Sequence, residues 1–217
     1  MIYYQVGSPS AESHIIIANV HQYYVVYKPF QVLSQFSSAE ERPTLKHFFP
    51  VPSDVYPVGR LDFDSEGLLI LTNDRQLNDK LLNPAFSHER EYWVQVEGNI
   101  DRNALLQLEG GVSITVDGRP YRTKPCIAGL IEPPPAVPAR NPPIRYRARI
   151  PTSWITLTLK EGKNRQVRKM TATAGFPTLR LIRWRIGQIT LGELKPGEWT
   201  AMNERDIDTG LFAKRNH

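Results

Sequence analysis

Apolar positions along this chain fall in short runs and alternations rather than long stripes. The run Leu68-Leu69-Ile70-Leu71-Thr72 reads as a buried strand, and Tyr23-Tyr24-Val25-Val26-Tyr27, stopped by Lys28-Pro29, reads as a strand entering a turn. Residues 32–36 are expected to partner the latter, and residues 42–50 to hold one helical turn. Tyr92, Val94 and Val96 alternate on one face of a half-buried strand, and residues 154–159 alternate again. Further strands are expected at 126–131, 144–150, 179–186 and 199–202, with 187–192 continuing its predecessor after a bulge, and a hairpin turning at Asp117-Gly118. Four helices complete the pattern. Asn73 or Asp74 caps one facing inward through Leu77, Leu81 and Leu82, and Asp101 caps one with Leu105, Leu106 and Leu108 that Gly110-Gly111 ends. Asn164 is expected to cap a third, with Val167, Met170, Thr171 and Ala174 inward, and Asn203 a closing helix over 204–212. Strands outnumber helices and long helical crossovers are scarce, so the class is α+β on a mostly antiparallel sheet.

Composition narrows the function classes by exclusion. No apolar run in the 217 residues approaches a bilayer span, the first residues lack a basic-then-apolar leader, and the lone Cys126 cannot form an internal disulfide, so a cytoplasmic protein away from membranes is expected. The five histidines form no i, i+4 pair or cysteine cluster, no phosphate loop is legible, and G-x-S-x-G is missing; no metal site is expected. Residues 132–143 carry too many prolines for a helix or central strand and read as an exposed, stiffened insertion loop. The net charge of +5 is concentrated. Between Arg140 and Lys169 stand Arg145, Arg147, Arg149, Lys160, Lys163, Arg165 and Arg168, opposed only by Glu161, which suits a polyanion partner. The densest polar chemistry lies earlier, in Gly59-Arg60-Leu61-Asp62-Phe63-Asp64-Ser65-Glu66-Gly67, directly before the buried run. Such a loop is either a functional site at a strand's edge or a solvated acidic turn.

Gly59-Arg60-Leu61-Asp62, with Ser65-Glu66-Gly67-Leu68-Leu69 and Thr72-Asn73-Asp74, resembles the catalytic signature of the RsuA family of RNA pseudouridine synthases. Four further stretches agree in order: Lys28-Pro29, Arg90-Glu91-Tyr92-Trp93-Val94, residues 161–170, and Leu181-Ile182-Arg183 through Ile186-Gly187 to Pro196-Gly197. Arg75 and Arg90 depart from the usual glycine and lysine. The resemblance implies a pseudouridine synthase fold with two lobes around a central cleft, spanning residues 23–217 after an extension over 1–22 that is too short for the family's frequent S4 RNA-binding domain. It implies isomerisation of a uridine in ribosomal RNA, the large-subunit (23S) RNA above all, without metal or cofactor, by a monomer that everts the base. By the same resemblance Asp62 is the catalytic carboxylate, Arg168 its cationic partner, Tyr92 the residue packed on the base, and Arg60 the residue filling the vacated place in the RNA. Lys163, Arg165, Lys169 and the Arg145, Arg147, Arg149 stripe are the expected phosphate contacts, offsetting the few kcal/mol that eversion costs. Two rivals remain open: a glycoside hydrolase pairing Asp62 with Asp64 or Glu66, and a non-catalytic RNA-binding module.

Overall fold

A computed structural model describes residues 21–83, 85, 88–144 and 149–212. Its strands are β1 (Tyr23–Lys28), β2 (Tyr56–Pro57), β3 (Glu66–Thr72), β4 (Arg90–Glu97), β5 (Ser113–Val116), β6 (Arg119–Arg122), β7 (Ile127–Leu130), β8 (Thr152–Leu159), β9 (Thr178–Ile186), β10 (Ile189–Thr190) and β11 (Trp199–Met202). Among the described residues four α-helices accompany them, α1 (Arg75–Leu82), α2 (Arg102–Glu109), α3 (Gln166–Thr173) and α4 (Glu204–Phe212), with one 3-10 turn over Leu45–His47. The main sheet runs β11-β1-β3-β9-β4-β8-β7, with β2 added to β3 and β10 to β9, and β5 and β6 form a separate hairpin. Every pair is antiparallel except β3 with β9. The class is α+β.

Side-chain alternation divides the core between the sheet's two faces. Val25, Tyr27, Leu68, Ile70 and Ile182 pack against Leu77 and Leu81 of α1 and Ile207 and Leu211 of α4. The opposite face carries two separate clusters. Val26, Leu69 and Leu71 pack with Val32, Leu45 and Phe49, whereas Val94, Val96, Leu157 and Leu181 pack with Leu105 of α2 and Met170 of α3. The cleft opens beside that division, where β3 and β4 begin and β8 and β9 end.

Local chemistry accounts for the helix starts. The Asp74 carboxylate accepts from the backbone N–H groups of Gln76 and Leu77, Asp101 from Ala104, and Asn203 from Asp206, each satisfying donors that a helix start leaves open. Several expectations are corrected. Asn164 does not cap α3; Arg165 occupies the N-cap position at φ 55, in the left-handed region, without a side-chain cap hydrogen bond. Residues 32–36 form no strand; Leu33 makes an isolated bridge to Thr44, Val32 packs in a core cluster and Ser34 bonds Leu61, while β10 doubles back on β9 instead of prolonging it. Leu82 points outward at 47% exposure, since Leu77 and Leu81 already fill the inward face of α1. Of the expected strand at 144–150, residues 145–148 lie outside the described residues, and Arg149 is exposed in a turn.

The proline-rich loop forms neither helix nor strand, yet it is fastened to the body. Val137 packs on the first core, the Arg140 guanidinium lies 4.1 Å over the Phe30 ring, and Arg180 donates to the Pro138 carbonyl at 2.9 Å. Among the described residues no helix is long and apolar enough to cross a membrane.

Candidate active site

The backbone of the Asp62 loop is pinned along its length, whereas the Asp62 side chain makes no short bond. Val58 N–H donates to the Ile70 carbonyl at 2.8 Å, Ser34 Oγ bridges the Leu61 amide and carbonyl at 3.0 and 2.8 Å, and Ser65 N–H closes a turn on the Asp62 carbonyl at 3.0 Å. Buried Val58 and Leu61 hold the loop against the cores, while Arg60 is exposed and the Asp62 side chain keeps 39% of its surface. Gly59 supplies the turn, at φ 71, with the Leu82 side chain only 3.0 Å from where a Cβ would stand.

The start of α3 forms the facing wall. The Arg165 fork grips Asp64 through two bonds of 2.9 and 2.7 Å, leaving its Nη1 at 3.8 Å from Asp62. Arg168 approaches the same acid, with Nε 3.3 Å from Asp64 Oδ2 and Nη2 donating to the Asp64 carbonyl. Arg168 is therefore the partner of Asp64, not the direct partner of Asp62 that the sequence suggested; the turn at Asp62–Ser65 sets Asp64 nearer the helix. Burial raises the Asp64 pKa, but the Arg165 fork and the Arg168 charge outweigh it and hold the carboxyl below its ordinary value. A depressed folded-state value adds stability above the unfolded pKa, near about 4, and loses it as pH falls through the folded value. Asp64→Asn is accordingly expected to lower the urea midpoint at pH 7, with the difference from the parent narrowing below about pH 4. A constant gap across that range would contradict it.

The floor is made of strand residues. Tyr92 on β4 and Gly67 on β3 both pair in register with Arg183 on β9, so the three share one face. At φ 112, a Gly67 Cβ would lie 2.4 Å from the Arg183 carbonyl oxygen; only glycine lets these strands meet. The Arg183 side chain is 95% buried, as its 5% exposure states. Its Nε donates to the Leu68 carbonyl at 2.8 Å and its Nη1 reaches the Arg60 carbonyl at 3.5 Å. Burial pushes its pKa down, opposed by the neighbouring Tyr92 and Asp62. Two other buried charges are occupied elsewhere. Lys28, pushed down to about 7 mainly by burial, donates to the Pro29 and Val32 carbonyls at 2.9 and 2.7 Å. Glu66 is held by Arg180 through bonds of 2.9 and 2.8 Å, at 2% and 4% exposure.

Together these elements enclose a cleft of about 590 Å³ lined by Asp62, Ser65, Tyr92, Lys163, Arg165 and Arg183. At its rim Tyr121 of the β5–β6 hairpin donates to Glu161 at 2.5 Å, and the Lys163 ammonium lies 4.9 Å over the Tyr121 ring. An ionisable acid, a half-buried aromatic and fixed cations thus face one space large enough for a nucleotide. Residues 22–173 match the family model of RNA pseudouridylate synthases.

The chain belongs to that family. It is 50% identical over 172 residues to a ribosomal large subunit pseudouridine synthase E of Vibrio parahaemolyticus, covering 79% of this chain and 70% of that protein. With a protein of the same name from Xanthomonas campestris it shares 44% identity over 182 residues, 83% of this chain and 95% of the relative. A solved pseudouridylate synthase structure superposes with a TM-score of 0.70 at 27% identity, covering 87% of this chain and 73% of that one.

For a pseudouridine synthase, the placement of the sequence-predicted residues is uneven. Asp62, Tyr92, Arg60, Lys163 and Arg165 line one cleft, and Arg168 stands behind Asp64. Lys169 is half-buried on α3 and Arg149 lies in its turn, neither lining the cleft, while Arg145 and Arg147 fall outside the described residues. Sequence reasoning gave no role to Arg183, Ser65, Tyr121 or Lys124, all of which line it. No local signal singled out Arg183, because its strand also carries Arg180 and Arg185 and its partners lie far off in sequence.

Proposed function

We propose that this pseudouridine synthase acts on the large-subunit ribosomal RNA, isomerising one uridine with Asp62 as the working carboxylate. One observation carries the assignment of Asp62. Of the acids at positions 62, 64 and 66, Glu66 is buried under Arg180 and Asp64 is gripped by Arg165, which leaves Asp62 as the acid facing the cleft with Tyr92. The two relatives named as large-subunit enzymes support the choice of RNA. The same occupied acids argue against a paired-carboxylate hydrolase, which needs two carboxyl groups free to face one bond.

In this reading the exposed Arg60 enters the RNA stack as the uridine leaves it, and the everted base seats on Tyr92. Breaking the C1′–N1 bond leaves C1′ electron-poor, and the Asp62 carboxylate faces that carbon. The freed base turns, C5 bonds to C1′, the C5 proton is lost with Tyr92 placed to assist, and N1 takes up a proton from solvent, so that the product is an isomer of the uridine. No metal or cofactor is called on. Residues 23–217 form the catalytic domain and 1–22 its extension, and the protein works as a monomer in the cytoplasm with its RNA. Lys163 and Arg165, beside Lys124, reach the phosphates at the rim.

Two measurements test this. Mapping pseudouridines in large-subunit RNA from cells with and without the gene should show one site missing in the deletion; an unchanged map overturns the substrate assignment. Lys124→Glu with Lys163→Glu should weaken RNA binding and reduce the slope of log affinity against log salt by about 1.5 to 2. An unaltered slope would move the RNA track elsewhere.

A further inference from the structure

Detaching uracil from ribose leaves the bonding electron pair on N1, spread over the O2 and O4 carbonyls. An enzyme speeds that step by presenting fixed donors where the charge develops, and in a dry site a cationic donor is the most effective. The cations around Asp62 differ in what they have left to give. Arg165 and Arg168 are engaged by Asp64, the Lys28 ammonium by two carbonyls, and Arg90 by the Leu81 and His88 carbonyls at 3.1 and 3.3 Å. Two of them keep a buried nitrogen without a hydrogen-bond partner: Arg168 Nε, which still faces Asp64 Oδ2 at 3.3 Å, and Arg183 Nη2, which has the Tyr92 side chain beside it.

Burying a guanidinium with one nitrogen unpaired is costly, and a purely structural role would be filled as well by a smaller or apolar side chain. The group is also immobilised. Its Nε and Nη1 are tied to the Leu68 and Arg60 carbonyls, which flank the Asp62 loop on either side, and Tyr92 stands opposite it in register. Ser65 Oγ, equally buried and unpartnered, lines the same cleft.

We infer that Arg183 is a further catalytic residue, whose Nη2 donates to a carbonyl oxygen of the uracil as it leaves the ribose. This rests on the pseudouridine reading above. The C1′–N1 bond breaks with its electrons passing to the base, the guanidinium takes no proton and gives none, and the charge it stabilises is returned when C5 bonds to C1′. Because Nη2 is buried in the RNA-free cleft, contact requires the base to reach the floor rather than rest at the rim.

The test uses full-length protein and a large-subunit RNA fragment spanning the mapped site, with the target as uridine, 2-thiouridine or 4-thiouridine, since sulfur is a poorer acceptor than oxygen. The parent should convert one of the two thio-RNAs roughly 10-fold slower than uridine in single turnovers. Arg183→Gln should slow uridine conversion on the order of 100-fold, bind RNA within about threefold of the parent, and show no added penalty for that same sulfur. Arg183→Lys provides the comparison if the glutamine variant does not fold. Equal thio penalties in parent and variant, or no penalty in the parent for either sulfur, would overturn the inference while leaving the enzyme's reaction standing. A parent that makes no pseudouridine in any ribosomal RNA would instead overturn the reading on which it rests.

Discussion

Asp62→Ala is expected to abolish pseudouridine formation, a loss on the order of 10⁴-fold or more, while RNA affinity should stay within a few-fold of the parent. The asymmetry follows from where the side chain stands. Its carboxylate lies in the cleft with 39% of its surface exposed and makes no short bond to a cation, the nearest being Arg165 Nη1 at 3.8 Å. Removing it breaks no short ion pair, so the fold should persist. The phosphate contacts proposed for Lys163 and Lys124 also survive. A non-catalytic RNA-binding module would show the opposite pattern, with Asp62→Ala working as well as the parent. Thermal unfolding, filter binding and single-turnover conversion on one preparation separate the two.

Glu66→Ala is the largest expected loss of stability. The Glu66–Arg180 pair is buried on both sides, and truncating one member leaves an uncompensated guanidinium, a cost of about 3 to 5 kcal/mol. At this chain length that lowers the unfolding midpoint by roughly 10 °C. The damage should spread, because Arg180 also holds the proline-rich loop through the Pro138 carbonyl and Glu66 opens β3 immediately after the Asp62 loop. Replacing both partners, as Glu66→Leu with Arg180→Met, should recover most of the midpoint, since the pair's own desolvation is then avoided. Activity of the double variant at low temperature would set the role of Glu66 apart from chemistry. A double variant as unstable as Glu66→Ala would mean that the pair itself is the source of stability.

Much of this was legible in the chain because the governing forces are local. An apolar run announced β3, all seven of whose residues are buried, and the short side chains of Asp74, Asp101 and Asn203 announced their helices. Asp62 was legible as a polar residue forced to the edge of that strand. What escaped depends on partners distant in sequence. Glu66 and Arg180 meet across 114 residues, and nothing local separates a buried arginine from a basic stripe, so Arg180, Arg183 and Arg185 read as strand decoration although all three are buried. Asn164 was expected to cap α3 on propensity, but the helix starts one residue later, with Arg165 at the N-cap position and its guanidinium bonded twice to Asp64, 101 residues away. Residues 32–36 had strand composition, yet no sheet edge is offered there, since β11 and β3 already flank β1.

The most direct test of the central claim is complementation followed by mapping. Cells lacking the gene receive either the parent or Asp62→Asn, and pseudouridines are mapped in their large-subunit RNA. Restoration of one site by the parent and none by Asp62→Asn, with both proteins folded and binding RNA alike, is the predicted result; restoration of the site by Asp62→Asn would contradict it.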